Sequence, residues 1–562
     1  MMVDLATPPR IGDAPPMPTA QTMTGGEALV AALLAQGVDT LFGLPGVQLD
    51  GFFSALHDGH GSIRVFHTRH EQAAAYMADG YARVSGREGV CAVVPGPGVL
   101  NAAAGLATAY ACNSPVLCIT GQIRSDLIDT GRGALHEIPN QLGMLRSVTK
   151  HAARAATLDA IPHVVDEAFR QLRSGRSRPV AIEIPPDILL GSGEVSLLPP
   201  APARQRPTGD PETIARAARV LGAATSPVIL AGGGVLRSGA SDELLHLAEV
   251  LQAPVIVSCN ARGVISDRHH LAHSPVAASG LLPGADVLLV VGTRFPHVSE
   301  PERSFATFCP GQTVIHLDIE EREFGRFAPG TIDIHADAKI GLAALYHRLE
   351  RQGRRRPSRR DELSALKEDV RARLNAIEPQ AGFALAIRAE TPDDGIIVSE
   401  LTQVGHWSCL GLPVYAPNTF LTAGYQGTLG YGFATAMGAK IARPDVPVVS
   451  INGDGGFGYS MNELATLVQH NIPLIAVVFN DNAYGNVRRM QREDHGGRLI
   501  ATDLVNPDYG VLAAAFGISA RRAETPESLR VQVREAIRAN EPTLIEVPVG
   551  PMPNPWKALA QA

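Results

Sequence analysis

Two aspartates set among glycines and asparagines are this chain's best candidates for chemistry. Asp454 lies in Asn452-Gly453-Asp454-Gly455-Gly456-Phe457, and Asp481 lies 27 positions further on, in Phe479-Asn480-Asp481-Asn482-Ala483-Tyr484-Gly485. A hard cation such as Mg²⁺ takes oxygen ligands in an octahedron, commonly one or two carboxylates plus substrate phosphates. Gly453, Gly455 and Gly456 let the backbone come close to a phosphate. Together these residue types could hold a cation beside a diphosphate. Two aspartates in ordinary surface turns are the alternative that a lone Gly-Asp-Gly leaves open.

The elements around the motif give the spacing its meaning. Val446 to Ile451 is an apolar run of buried-strand type, and Leu474 to Phe479 is another. Between them, Met461 to His470 carries Leu464, Leu467 and Val468 at helical spacing. Strand, turn, helix, strand and turn make about one βαβ unit. In a parallel sheet both aspartates can then stand at the carboxyl ends of strands, where open α/β sheets bind ligands.

The N-terminal part reads the same way. A helix over Gly26 to Gln36 is followed by strands at Ile63 to His67, Val90 to Val94 and Val116 to Thr120. Arg69 to Arg83 reads as a helix with a small-residue face suited to close packing. Glu71, near its start, is favourable to the helix dipole in any case. An Ala-rich setting would also raise its pKa and let it share a proton with a ring nitrogen. Pro95-Gly96-Pro97-Gly98-Val99-Leu100-Asn101 follows a strand and is either a plain turn or a ligand loop.

At 562 residues the chain should hold two to four domains with ample core. A net charge of −7 without a basic stripe gives no expectation of nucleic acid as a partner. Six cysteines lack metal-ligand spacing and read as core thiols of a reducing compartment. No signal-peptide pattern opens the chain. The apolar stretch nearest to membrane-spanning length, Val90 to Gly121, is broken by Pro95-Gly96-Pro97-Gly98. A soluble cytoplasmic protein with no membrane partner is expected.

Residues 1–22, with five prolines in the first 18, read as a disordered tail. Domains are expected over 23–198, 212–350 and 375–550. Pro-rich residues 199–211 separate the first two, and Arg351 to Arg356 is a charged, solvated linker. Pro227 to Gly234, with Gly232-Gly233-Gly234, and Ala285 to Gly292 suggest that the middle domain is also α/β. A lone glycine-rich turn is a weak sign of a nucleotide.

Gly453-Asp454-Gly455 followed by an Asn- and Asp-rich turn resembles the thiamine diphosphate motif. Further matches run from residue 24 to about 550, in the order of the acetolactate synthase and 2-oxoacid decarboxylase group. The resemblance implies an α/β protein of three doubly wound parallel-sheet domains: pyrimidine-binding, central and diphosphate-binding. It implies that Asp454 and Asp481 hold Mg²⁺, with the backbone carbonyl of Ala483 as a third ligand. The family usually has Asn at the position of Asp481, and a second carboxylate adds negative charge beside a diphosphate.

The same resemblance implies that Glu71 hydrogen-bonds the aminopyrimidine of thiamine diphosphate and drives formation of its ylide. Pro97 and Asn101 fall in the pyrimidine-side loop. Thr402 and Gln403, within Glu400-Leu401-Thr402-Gln403-Val404-Gly405, would meet the diphosphate together with Gly453, Gly455 and Gly456. Gly427-Thr428-Leu429-Gly430 resembles the loop that supports the bent cofactor, with Leu429 under the thiazolium unless it is an ordinary core leucine. Leu135-His136-Glu137 stands where acetolactate synthases carry Phe-Gln-Glu, so His136 is a pocket proton donor or a surface histidine.

Arg294-Phe295-Pro296-His297 replaces the Arg-Phe-Asp-Asp-Arg of flavin-containing members, so FAD is not expected. Asn486 and Met490 stand where biosynthetic acetolactate synthases have Met and Trp, which argues against the usual branched-chain enzyme. The implied activity is decarboxylation of a 2-oxo acid with carboligation. A simple decarboxylase and a non-catalytic oligomeric relative are the alternatives. In this group the cofactor lies between subunits, which implies at least a homodimer, with a homotetramer expected.

Overall fold

Short apolar runs bounded by glycine, proline or asparagine become fully buried strands here, as a parallel sheet covered on both faces requires. The computed structural model describes residues 20–561 apart from 60, 201–205, 295–310, 327–329 and 354–355. The expected tail falls outside the described residues as far as 19. Its last positions do not belong to a tail, because Gln21–Thr24 (β1) is a strand.

The N-terminal strands are β2 (Thr40–Gly43), β3 (Arg64–His67), β4 (Gly89–Val93), β5 (Val116–Gly121), β6 (His151–Arg154), β7 (Val180–Ile184) and β8 (Ser192–Val195). β1 pairs antiparallel with β8. The other six form a parallel sheet in the order β3-β2-β4-β5-β7-β6.

The central sheet contains β9 (Pro227–Ala231), β10 (Val255–Val257), β11 (Ala272–His273), β12 (Val287–Val291), β13 (Thr313–Asp318) and β14 (Ile332–His335). Its order is β11-β10-β9-β12-β13-β14, again parallel throughout. The C-terminal sheet contains β15 (Ile396–Ser399), β16 (Phe420–Thr422), β17 (Val448–Gly453), β18 (Ile475–Asn480), β19 (Ser519–Arg522) and β20 (Thr543–Pro548). Its order, β16-β15-β17-β18-β20-β19, reproduces that of the N-terminal sheet strand for strand. Three α/β units with parallel sheets are what the sequence implied.

The first and third units are joined through one helix each. Glu71–Ser85 is started by His70, whose imidazole accepts from the Gln72 N–H, and is ended by Gly86 at φ 71°. It packs against Tyr431–Ala442 of the C-terminal unit. No side chain separates the two backbones at the crossing. A Cβ on Gly80 would collide with the Thr435 carbonyl, and one on Gly438 with the Met77 carbonyl.

Buried Arg83 reinforces the joint, donating to the Tyr431 hydroxyl at 2.6 Å and the Thr422 carbonyl at 2.7 Å. Thr108 and Thr428 hydroxyls add a bond of 2.7 Å. Side chains from both units, among them Phe42, Tyr76, Tyr431 and Phe457, form one continuous core.

The glycine contact makes a stability prediction. Gly438→Ala should destabilise the protein by about 1–3 kcal/mol, the usual cost of overpacking a tight contact. Gly284→Ala, where a Cβ meets nothing within 4 Å, should not. Urea unfolding midpoints of the two variants check this.

Candidate active site

The strand order reverses direction between β15 and β17, and the crevice outside such a switch point is where open α/β sheets take ligands. Glu400 follows β15, and Gly453 ends β17 with Asp454 directly after it. The Glu400 carboxylate turns inward, accepting from the Gly432 N–H at 3.1 Å and the Gly453 N–H at 3.3 Å. Burial pushes it up to about 7. It lies so close beneath the turn that a Cβ on Gly456 would strike it. Gly456 is therefore required by a carboxylate below as well as by any phosphate above.

Asp454 is 3 % exposed and accepts from the Asn506 side-chain amide at 2.7 Å and the Ala483 N–H at 3.2 Å. Asp481 shares a hydrogen bond with Asp454, and Gln403 donates to its other side at 3.0 Å. Burial, and then the facing charge of Asp454, pushes the Asp481 carboxyl up to about 7. Two carboxyls facing each other beside a glycine turn form an oxygen donor set of the kind that a divalent cation takes. With the backbone of Ala483 against Asp454, the residues present fit Mg²⁺.

Thr402 caps the helix Gln403–Gly411 by accepting from the Gly405 N–H at 2.9 Å. The Thr402 methyl lies next to Gly453, so the positive end of that helix and the glycine turn share one crevice. Leu429 is 41 % exposed and is no core leucine. It stands between Gly427 (φ 60°) and Gly430 (φ 80°), both in the left-handed region that favours glycine. Asn486 donates to the Leu401 carbonyl at 3.0 Å, and Met490 is exposed.

A second cluster forms at the equivalent switch point of the N-terminal sheet, between β2 and β4. Asn101 donates to the Glu71 carboxylate at 3.0 Å, and Pro97 opens the helix Pro97–Cys112 that carries Asn101. His136 adopts φ 71°, with its Nδ1 3.0 Å from the Gln48 Oε1. Its carbonyl lies against Gly96, where a Cβ would collide. Gln141 accepts from the Gly96 N–H at 2.9 Å and donates to buried Glu183 at 3.0 Å.

Among the described residues, no hydrogen bond joins the Glu71 side chain to Asp454, Asp481 or the glycine turn.

Four residues here have roles that the sequence did not assign, although Glu400 stood in a segment expected at the diphosphate. Glu400 and Gln141 hold the turns from behind, and Asn506 clasps Asp454. Glu463, fully buried, accepts from the Arg69 N–H at 3.1 and 3.0 Å, fixing the chain two residues before Glu71. Only Asn506-Pro507-Asp508 offered a local turn signal.

The central sheet has its own switch point, between β9 and β12. A cavity of about 970 Å³ opens there, and Arg83, Arg176, Arg206, Arg237 and Arg294 are in its wall. Burial, and then neighbouring Arg83, lowers Arg237 to about 10. Pro296 and His297, on which the expectation about flavin rests, lie outside the described residues.

The facing carboxyls have a thermodynamic consequence. A carboxyl whose folded pKa exceeds its unfolded value stabilises the fold fully below about 4, and that contribution is lost as pH rises through about 7. Asp481 and Glu400 both act in this direction. With chelator present, the thermal midpoint should fall between about pH 5 and 8. Asp481→Asn should flatten that fall, and scanning calorimetry at several pH values checks it.

Comparison with known proteins agrees with this geometry. Residues 23–144 match the thiamine pyrophosphate enzyme N-terminal TPP binding domain, 214–345 the central domain and 400–547 the C-terminal TPP binding domain. The chain is 35 % identical to the "Probable acetolactate synthase large subunit" of Methanococcus aeolicus, covering 94 % of this chain and 92 % of that one. It is 32 % identical to the acetolactate synthase isozyme 3 large subunit of Escherichia coli, covering 94 % and 95 %. It is 34 % identical to the "Probable 2-ketoarginine decarboxylase AruI" of Pseudomonas aeruginosa, covering 95 % of each. With both switch-point clusters and all three domains accounted for, the chain belongs to the thiamine diphosphate-dependent enzymes and resembles acetolactate synthase large subunits.

Proposed function

We propose that the protein is a Mg²⁺- and thiamine diphosphate-dependent carboligase that decarboxylates a 2-oxo acid and transfers the acyl unit to a second carbonyl compound. The observation that carries this reading is the facing pair Asp454 and Asp481, set beside a glycine turn and a capped helix N-terminus. When bound, thiamine diphosphate supplies the nucleophilic carbon that makes loss of CO₂ from a 2-oxo acid possible.

The chain's own residues do the rest. Asp454, Asp481 and the Ala483 carbonyl hold the cation. Thr402, Gln403 and Gly453 to Gly456 receive the diphosphate. Gly427 and Leu429 support the ring system. Glu71, aligned by Asn101, moves a proton at the aminopyrimidine, with Pro97 shaping that side of the crevice. His136, steadied by Gln48, serves as a proton donor in the substrate pocket.

The resemblance to a group whose cofactor lies between subunits supports a complete site that draws Glu71 and Asp454 from two subunits. The reading is therefore a homodimer at least, assembled as a homotetramer, in the cytoplasm. Among the described residues, no helix is long and apolar enough to cross a membrane. The reading includes no flavin, because Pro296-His297 stands in place of an acidic pair.

Simple decarboxylation is the second reading. It is favoured by the Pseudomonas aeruginosa relative's printed name and by Asn486, which places an amide where biosynthetic acetolactate synthases carry an apolar residue.

Product identification tests the proposal. With pyruvate, thiamine diphosphate and Mg²⁺, acetolactate is the expected product. Free acetaldehyde would favour the decarboxylase. Retained cofactor with no turnover across a panel of 2-oxo acids would leave only a non-catalytic relative.

The role of Glu71 is checked separately. Glu71→Gln keeps one hydrogen bond but cannot exchange a proton. Proton–deuterium exchange at the thiazolium carbon should slow by about 10²–10⁴-fold. Cofactor affinity by calorimetry should change far less, since the diphosphate and cation contacts come from the C-terminal unit.

A further inference from the structure

Five of the cysteines are described, and all are free thiols. Four of them form two neighbouring pairs, and the pairs differ in access. Cys91 and Cys118 face each other in register across β4 and β5, fully buried within one sheet. Cys259 and Cys409 come from different domains. Cys259 opens the short helix Cys259–Ala261 directly after β10, and Cys409 lies on the helix Gln403–Gly411.

The Cys259 thiol donates to the Cys409 carbonyl oxygen at 3.8 Å, so the two residues are in contact across the domain boundary. Both residues line the central cavity, which gives small solutes a route to them. Arg262 lies beside them, donating to the Cys409 carbonyl at 3.0 Å.

We infer that Cys259 and Cys409 form a reversible disulfide that ties the central domain to the helix bearing Thr402 and Gln403. The surroundings favour one order of events. Cys409, with the charge of Arg262, holds the Cys259 thiol below its ordinary range, while Cys259 and burial keep the Cys409 thiol protonated. The thiolate is the nucleophile in thiol–disulfide exchange.

The Cys259 thiolate attacks one sulfur of a small disulfide, forming a mixed disulfide and releasing one thiolate. That thiolate takes the proton of Cys409. The Cys409 sulfur then attacks the Cys259 sulfur, closing the protein disulfide and releasing the second small molecule as a thiolate. Two protein thiols are oxidised, and one small disulfide is reduced to two thiols. The bond spans 150 positions of chain. A cross-link closing so long a loop restricts the unfolded state strongly.

The test treats the full-length protein, loaded with thiamine diphosphate and Mg²⁺, with glutathione disulfide, then alkylates it and maps peptides without reduction. The expected result is a Cys259–Cys409 linked peptide, free Cys91 and Cys118, and a thermal midpoint that rises on oxidation and returns with dithiothreitol. In Cys409→Ser the glutathione adduct should persist on Cys259.

Stable separate adducts on both thiols of the parent protein would overturn the inference. So would two thiols that label only after denaturation, or an adduct that persists on Cys409 in Cys259→Ser but not on Cys259 in the converse variant. Mapping the parent protein decides the question even if neither variant folds.

Discussion

A carboxylate taken out of water must collect donors or give up its charge, and that constraint organises the candidate site. Glu400 collects backbone N–H groups from two separate elements, so the first turn of the helix Tyr431–Ala442 and the end of β17 at Gly453 are drawn to one point. Glu463 does the same for the chain entering the Glu71 helix. Burial, and then the facing charge of Asp454, pushes the Asp481 carboxyl up, and Gln403 donates to it from the other side. Each of these carboxyls is thus tied to a backbone or side-chain group of a distant segment, and together they fix the positions of the turns around the site.

The fold and the two facing aspartates were legible because they are written locally. Buried parallel strands appear as short apolar runs, and Gly453-Asp454-Gly455 is contiguous. Residues that act across long separations left no such mark. Glu463 reaches Arg69 across 394 positions, and Asn506 reaches Asp454 across 52. Gly456 was legible as a glycine but not for its full reason, since only the folded chain shows Glu400 directly behind it. The small-residue face on the Glu71 helix did announce close packing. Its partner, Tyr431–Ala442, could not be read from spacing.

Three sheets place three crevices at their switch points, and the chain uses them differently. The N-terminal crevice gathers Glu71, Asn101 and His136, and the C-terminal one gathers the aspartates and the glycine turn. The central one opens into a large cavity walled partly by arginines. Arg83 belongs to both worlds: it locks the helix joint and faces the cavity. Packing between domains and ligand space between domains therefore meet at one guanidinium.

The helix joint also has an internal symmetry. Glu71–Ser85 leads from the second to the third strand of its sheet, and Tyr431–Ala442 leads from the second to the third strand of the other. Their contacts are reciprocal: Gly80 meets Thr435, Gly438 meets Met77, and each glycine lies three residues beyond the carbonyl that receives its partner. Self-complementary exchange of this kind is the geometry of a two-fold dimer of identical subunits. Within one polypeptide the N-terminal and C-terminal units thus meet as the two halves of such a dimer would, each helix offering the other the same glycine and the same carbonyl.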